Sequence, residues 1–410
     1  MKCIIVNSSS NFEYRADIVM SELIRRGFEA EMIASDFDHA AKKKRSVDKP
    51  CYHVIETVPY RKNISIQRLY SHRRFSADAF DYIKDKKADI LWLTVPQNSN
   101  AEIAGKYRKL YPDARIIIDI VDLWPESMPL KNSERWPFSM WAYVRNHALK
   151  DADRIVLECE LYHEKLGKQL AGLDVTVMPW LKRLPPWQSR FADEESAAEA
   201  EPDAKLRLFY LGAINNIIDI PEICSIISCF CRRMPVSLDI IGTGERAEEF
   251  VSEVEKAGAE VVFHGPVYDE RRKQEIMDSC DYGLNIMRDT VCVGISMKSI
   301  DYLAGGLPVI NNLPGDIRAL IESEGLGFNV SRGGLSWQDE ERILEAARRK
   351  AAGSSDCAYD RKHIRKSCEE HFSADLAGAF IDRVLSPEQL TEQAPGPGHL
   401  LTGYEADRRR

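Results

Sequence analysis

The sequence predicts an α/β protein of two doubly wound domains, each a parallel sheet with helices on both faces. Three observations predict it. Short apolar runs alternate with amphipathic helical segments from the first residues onward. That rhythm stops once, in an acidic stretch at residues 182–205, and then restarts. The chain has 410 residues, too many for one ordinary domain and suited to two.

In the first domain, residues 1–181, six runs have the apolar character of strands buried on both faces: Cys3–Val6, Ala30–Ile33, Ile90–Thr94, Arg115–Ile120, Arg154–Leu157 and Val175–Met178. Arg15–Arg26 and Ala101–Tyr111 have helical periodicity. Residues 182–205 contain Pro185-Pro186 and an acidic, Ala-rich run, the composition of an exposed linker. In the second domain, residues 206–358, the strands expected are Leu206–Leu211, Ser237–Ile241, Glu260–His264, Tyr282–Ile286, Pro308–Asn311 and Gly327–Val330. The helices include Pro221–Arg233, Glu245–Ala257, Asp269–Cys280 and Asp339–Ala352. One closing helix is expected at residues 359–385, and residues 386–410, with Pro-Gly-Pro-Gly and a terminal Arg-Arg-Arg, suit a loose tail. Two such domains imply a cleft between the carboxyl ends of two sheets.

Composition narrows the function. The hydrophobic share of 44% is ample for two cores, and no apolar run approaches the ~20 residues that span a bilayer. The opening Met1–Asn7 is a buried-strand pattern, not a signal peptide. The ten Cys lack paired Cys-x-x-Cys spacing, as expected of reduced thiols in a cytoplasmic protein. Net charge is −8, unevenly spread: residues 1–181 carry 28 Lys+Arg against 25 Asp+Glu, and the remainder 28 against 39. Nucleic-acid binding has no support in this balance or in any recognised module. No Gly-x-x-x-x-Gly-Lys-Ser/Thr loop or Gly-x-Ser-x-Gly elbow is present. Gly242-Thr-Gly244-x-x-Ala247 formally matches a dinucleotide fingerprint, but the next strand ends near His264 without an acidic residue, which argues against a dehydrogenase.

The most informative stretch runs from Ser296 to Ile310. Ser296 stands at an N-cap position, Met297–Ala304 is helical in pattern, Gly305-Gly306 is a C-cap, and Pro308 leads into a short strand. A helix that opens with a Ser hydroxyl, free N–H groups and Lys298 suits a diphosphate, and one turn later Asp301 is placed to reach a ribose diol. Four other motifs lie at strand ends of the same domain: Gly212-Ala-Ile-Asn215, Gly242-Thr-Gly244, His264-Gly265 and Asp281-Tyr-Gly283. The order of these five segments places a nucleotide at the strand ends, where glycines let the backbone approach it closely.

This order resembles the C-terminal domain of glycosyltransferase family 4. Ser296-Met297-Lys298 followed by Asp301-Tyr302 also resembles the glucuronosyltransferase of xanthan assembly. The resemblance implies the GT-B fold: two Rossmann-like domains facing across a cleft, with C-terminal helices. It implies that the second domain binds a nucleotide sugar, with Lys298 on the diphosphate, Asp301 on the ribose, Ser296 and Met297 lining the site, and Gly212, Asn215, Gly242 and His264 around it. The usual family pattern has two Glu residues eight apart. Here Val293 stands where the earlier Glu is expected, so donor-sugar contacts differ and the stereochemistry is open between retention and inversion. The basic pair often found after the first strand is replaced by Ala213-Ile-Asn-Asn-Ile217, which leaves Lys298, alone or with Arg288, to neutralise the phosphates.

In the first domain, Ile116–Ile120 runs into Asp122-Leu-Trp-Pro-Glu-Ser127, a string similar to one in family 4 enzymes of bacterial polysaccharide assembly. Asp122 is the expected acceptor-side carboxylate, either a general base on an acceptor hydroxyl or a stabiliser of positive charge. Asp119 and Glu126 are alternatives, and Asp122 could simply cap the turn. Asn11, in the Ser-rich loop after the first strand, and Arg15 on the next helix are the candidate acceptor-binding residues; an ordinary capped turn explains the loop equally well. Asp36-x-Asp38 with Lys42–Arg45 reads as an acceptor-side loop in preference to a metal site, and its basic run could touch the phosphates of a lipid carrier or simply be solvated. Trp136–Val144 is unusually aromatic and, with nearby basic residues, suits either core packing or a membrane interface.

The expectation is therefore a metal-independent glycosyltransferase that takes a UDP-sugar as substrate, needs no cofactor and acts on a saccharide or lipid-linked saccharide. Its expected place is the cytoplasm, with the first domain as the part that could touch the inner membrane surface. The alternatives are a sugar-nucleotide epimerase of the same fold and a non-catalytic partner in polysaccharide assembly.

Overall fold

The computed structural model describes residues 1–128, 136, 138–192, 204–331, 334–351 and 359–386. Residues 193–203 of the expected linker and all but the first residue of the expected tail lie outside the described residues. The chain divides into two compact units. One is Met1–Arg183 together with the described residues from Ser373 onward; the other is Leu184–Phe372.

The first unit carries strands β1 (Lys2–Asn7), β2 (Glu29–Ser35), β3 (Phe37–Asp38), β4 (Lys43–Lys44), β5 (Tyr52–Ile55), β6 (Ile90–Val95), β7 (Arg115–Ile120), β8 (Arg154–Leu157) and β9 (Val175–Val177). Seven of them form one parallel sheet in the order β5-β2-β1-β6-β7-β8-β9, and β3 pairs with β4 as a small antiparallel ribbon. Helices α1 (Glu13–Arg25), α2 (Ile66–Ile83), α3 (Asn98–Leu110), α4 (Phe138–Ala148) and α5 (Glu160–Leu166) lie between strands. All six residues of β6 are buried, as both faces of a covered parallel sheet require. Chain order reverses at β1/β6, so the strand ends there form the topological switch point at which open α/β sheets bind ligands.

Next to that switch point lies a buried ion pair. Arg15 of α1 donates to both carboxylate oxygens of Asp119 on β7, at 3.1 and 3.0 Å, and to the Pro179 carbonyl at 2.9 Å. The indole N–H of Trp92 on β6 completes the shell of Asp119 at 3.2 Å. One bidentate pair thus ties α1, two central strands and the segment after β9.

The second unit repeats the architecture with β10 (Leu206–Ala213), β11 (Val236–Thr243), β12 (Glu260–Gly265), β13 (Tyr282–Asn285), β14 (Val309–Asn311) and β15 (Gly327–Asn329), in the parallel order β12-β11-β10-β13-β14-β15. Its helices are α6 (Ile220–Cys231), α7 (Ala247–Lys256), α8 (Glu270–Ser279), α9 (Met297–Ala304), α10 (Asp316–Glu324), α11 (Trp337–Ala351) and α12 (Arg361–Phe372). Side-chain caps start several of them: Asp219 accepts from the Glu222 N–H, Asp269 from Arg272 and Ser296 from Ser299. The switch point falls at β10/β13.

The single closing helix expected at 359–385 is two helices. The chain breaks at Ser373, whose backbone is extended and whose hydroxyl accepts the Asp375 N–H at 3.2 Å. Beyond the break, α13 (Ala377–Leu385) packs Ala377, Phe380, Ile381 and Val384 into the core of the first unit with Ile5 and Leu23. Arg26 fixes it by donating to the Gly378 carbonyl at 2.7 Å and pairing with Asp382.

Removing one member of a buried ion pair strands the other charge. Arg15→Met should therefore cost the first unit about 3–5 kcal/mol in denaturant unfolding, and adding Asp119→Leu should restore most of that loss.

Candidate functional site

The second unit's site forms around the start of α9. The Ser296 hydroxyl donates to Asn285 Oδ1 at 2.8 Å and accepts the Ser299 N–H at 3.1 Å. Asn285 continues into a chain of amides: its Nδ2 donates to Asn311 Oδ1 at 2.8 Å, and Asn311 Nδ2 donates to Asn329 Oδ1 at 2.9 Å. These three residues sit in register at the ends of β13, β14 and β15. The expectations from sequence omitted this ladder. Its signal was present, since each of the three strands ends in Asn after an apolar residue.

Lys298 is half-buried on the first turn of α9. Its Nζ donates to the Tyr210 hydroxyl at 3.1 Å and stands 4.3 Å from the Tyr210 ring centroid. Among the described residues no carboxylate lies within ion-pairing distance of it. Burial without a counter-charge pushes its ammonium down to about 7. Gly212, at φ +124°, lies beside it: a Cβ there would come within 3.9 Å of Lys298 Cε. A Cβ on Gly242 would stand 2.0 Å from the Gly212 carbonyl oxygen, and one on Gly244 2.1 Å from that of Ile214, so both positions exclude any side chain.

Gly212, Gly242, Ser296, Met297, Lys298 and Asp301 are thus gathered at the β10/β13 switch point and the helix that faces it. Met297 is exposed and Asp301 half-buried. Asn215 is turned inward on its own loop, with Oδ1 accepting the Ile217 N–H at 3.0 Å. His264 stands farther out, on edge strand β12, where its Nε2 and Asp239 Oδ1 are 2.7 Å apart.

In the first unit the three candidate carboxylates separate clearly. Asp119 is consumed by Arg15. Glu126 pairs with the fully buried Arg145 at 2.7 Å. Asp122, just past the end of β7, has no cation within ion-pairing distance among the described residues, and its carboxylate accepts the Ser127 hydroxyl. Burial pushes its carboxyl above the usual range, while the Ser127 hydroxyl and the nearby Arg68 charge pull it part of the way back. Arg15 is spent on Asp119, and Asn11 is exposed on a short 3-10 turn, Ser10–Phe12. The structure therefore does not gather Asn11 and Arg15 with Asp122 through any hydrogen bond among the described residues.

Asp36 and Asp38 are both used locally. Asp36 accepts the Thr57 N–H at 2.8 Å and pairs with Lys44; Asp38 accepts the Ala41 N–H at 2.7 Å. Arg68 and His72 on α2 had no expected role. They occupy the buried stripe of that helix with Phe75 and Ala79, at spacings of four, seven and eleven, so polar residues on an apolar stripe were the available signal.

Residues 205–349 match the family model "Glycosyl transferases group 1". No curated protein matches the chain. Among solved structures, sucrose-phosphate synthase from Thermosynechococcus elongatus is similar at a TM-score of 0.67 and 13% identity, over 93% of this chain and 98% of that one. The lipopolysaccharide outer core galactosyltransferase WaaB is similar at 0.62 and 16%, over 94% and 99%. Anabaena Alr3699/HepE, in complex with UDP and glucose, is similar at 0.60 and 13%, over 94% and 99%. The chain has the GT-B fold.

Within this GT-B chain, no group of three or more His, Cys, Asp or Glu among the described residues is arranged to hold a metal ion. No helix among them is long and apolar enough to cross a membrane.

The burial of Lys298 has a definite pH signature. Below pH 7 the lysine is protonated in both folded and unfolded chains, and its full burial cost weighs on the fold. Between about 7 and its unfolded value near 10.4 only the unfolded chain holds the proton, so stability rises with pH. Lys298→Met should therefore stabilise the protein at pH 6, and the gain should shrink towards pH 10, as read from urea unfolding midpoints.

Proposed function

We propose that this protein is a glycosyltransferase that moves a sugar from a UDP-sugar to a saccharide acceptor in polysaccharide or glycoconjugate synthesis. The observation that carries the reading is Lys298: a half-buried cation with no carboxylate partner among the described residues, on the first turn of α9, beside a glycine whose missing side chain leaves room. A diphosphate supplies the charge that Lys298 lacks, and the positive end of α9 adds to the attraction. The match of residues 205–349 to a glycosyltransferase family model and the likeness to a structure holding UDP support a UDP-linked donor.

In this reading Lys298 holds the diphosphate and Asp301 the ribose, with Met297 and Gly212 lining the nucleotide. Ser296 acts one step back, fixing the start of α9 through Asn285. His264, held by Asp239, and Asn215 flank the site. Asp122 is the general base in the first unit: of the three candidate carboxylates it alone lacks a cation partner among the described residues, and its raised pKa suits proton uptake. The acceptor oxygen bonds to the anomeric carbon, its proton goes to Asp122, and the bond to UDP breaks with its electron pair on the departing diphosphate. As that bond breaks, Lys298 offsets the growing negative charge. A lipid-linked acceptor would bring the protein to the cytoplasmic face of a membrane, and the exposed Trp136, Met140 and Tyr143 at α4 offer an apolar contact there.

Two measurements test this. Calorimetry should show UDP binding that Lys298→Ala weakens by about tenfold or more, the loss of one charge-assisted contact; no UDP binding, or equal binding by the variant, removes the donor site. Asp122→Asn should leave UDP affinity unchanged and cut transfer by about 10²–10⁴-fold. Near-normal transfer by that variant would make the carboxylate structural.

A further inference from the structure

Among the described residues the buried arginines are neutralised, with one exception. Among the described residues five arginines are buried. Arg15 pairs with Asp119, Arg145 with Glu126, Arg154 with Asp174 and Arg365 with Glu369. Arg68 pairs with no carboxylate among the described residues. Its neighbours are neutral groups: the Asn63 carbonyl at 2.8 Å, His72 Nε2 at 3.2 Å and the Trp124 ring, whose centroid lies 3.9 Å from the guanidinium carbon. Trp124 is a fixed platform, because its carbonyl accepts from Asn98 at 2.9 Å and Arg145 at 2.7 Å.

A second cation stands close by. Lys42 is 5.0 Å and Arg68 5.6 Å from the centroid of the same Tyr60 ring. Lys42 also lacks a carboxylate partner among the described residues; its Nζ donates to Asn63 Oδ1 and lies 3.4 Å from His39 Nδ1. Burial lowers all of these groups, and the Arg68 charge adds to it at Lys42, His39 and His72: Lys42 falls to about 8, Arg68 to about 10 and His39 to about 3. Burial is the larger cause in each case. His39 and His72 are therefore neutral at physiological pH and share none of the charge. Asp122 acts on Arg68 through space without reaching ion-pairing distance.

Two cations held by neutral groups, beside the carboxylate assigned as base, lack the anion that buried charge requires. We propose that Arg68 and Lys42 bind an oxyanion group, phosphate or carboxylate, carried by the acceptor next to its reacting hydroxyl. This rests on the reading of Asp122 as the acceptor-side base. The acceptor class is then an anionic saccharide: one linked through a phosphate or diphosphate, or one carrying a uronate. The guanidinium, held against the Trp124 ring, keeps N–H groups beyond the two that meet His72 and Asn63 to donate to the anion, and Lys42 adds a point charge.

The test is calorimetric titration of inorganic pyrophosphate, and separately of glucuronate, into the full chain saturated with UDP. Saturation fills the donor site, so the remaining binding reports the first unit. Arg68→Gln and Lys42→Gln should each weaken the better-bound probe by about tenfold, with UDP affinity within about twofold of wild type. Stronger binding of pyrophosphate marks a phosphate-linked acceptor, and stronger binding of glucuronate a uronate. Lys42 is only half-buried, so Lys42→Gln carries the test if Arg68→Gln does not fold. The proposal is overturned if neither probe binds, or if the folded variants bind as tightly as wild type. A protein that binds no UDP loses the donor reading instead, and the same titrations without UDP still decide this site.

Discussion

The second unit depends on the hydroxyl of Tyr302. Strands β10 and β13 pair only at Leu208↔Tyr282 and Phe209↔Gly283, and beyond that the ladder stops. This is where an open α/β sheet makes room for a ligand, and it leaves backbone groups without strand partners. Tyr302 repairs the gap: its hydroxyl accepts the Leu211 N–H at 3.0 Å and donates to the Leu284 carbonyl at 3.1 Å. The ring reaches that position because residue 283 is glycine; a Cβ there would meet it at 2.7 Å. One side chain thus satisfies the splayed strands and clamps α9 onto them. The placement of Ser296 and Lys298 follows, since both ride on that helix. The amide ladder from Asn285 to Asn329 extends the clamp across the ends of the remaining strands.

In the first unit the organising constraint is charge neutrality. The sheet ends carry several buried ionisable groups, and most cancel in pairs that also join distant segments. Arg15–Asp119 spans 104 residues of sequence. Such pairs contribute little net stability over apolar replacements, but leaving one member alone is costly. Among the described residues Asp119 and Glu126 have partners of opposite charge and serve the fold, while Asp122, Arg68 and Lys42 have none.

The fold was legible where burial leaves an unbroken apolar run. Arg115–Ile120 and Arg154–Leu157 are strands at the expected residues because both faces of a central parallel strand are covered. Legibility failed where that pattern is diluted. Tyr52–Ile55 is a short edge strand with three of four residues only partly buried, and α2 hides Arg68, Ser71 and His72 on its inner face, which blurs its apolar period. The break at Ser373 has the chemistry of a cap, but the apolar spacing runs on through it. The glycines and Lys298 of the second unit were visible because each is required locally. Arg68 was not visible as a candidate, because what marks it is the lack of a carboxylate partner among the described residues, and no local pattern records which distant carboxylate fails to arrive.

Lys298 and Arg68 solve one physical problem twice. Each is a basic side chain at least half-buried near the strand ends of its own sheet, each rests on an aromatic ring, and neither has a carboxylate partner among the described residues. A ring face attracts a cation with about 0.5–2 kcal/mol, less than the several kcal/mol that desolvation costs it. Both residues therefore weigh on the free protein. Under the proposed roles an arriving anion would remove that cost and add its own charge-assisted hydrogen bonds, so part of its binding energy would come from relief of that electrostatic cost. A carboxylate built into the protein would have neutralised either cation at once, and would have taken the place of the ligand. The missing partner is in each unit the feature that suits the site to an anionic substrate.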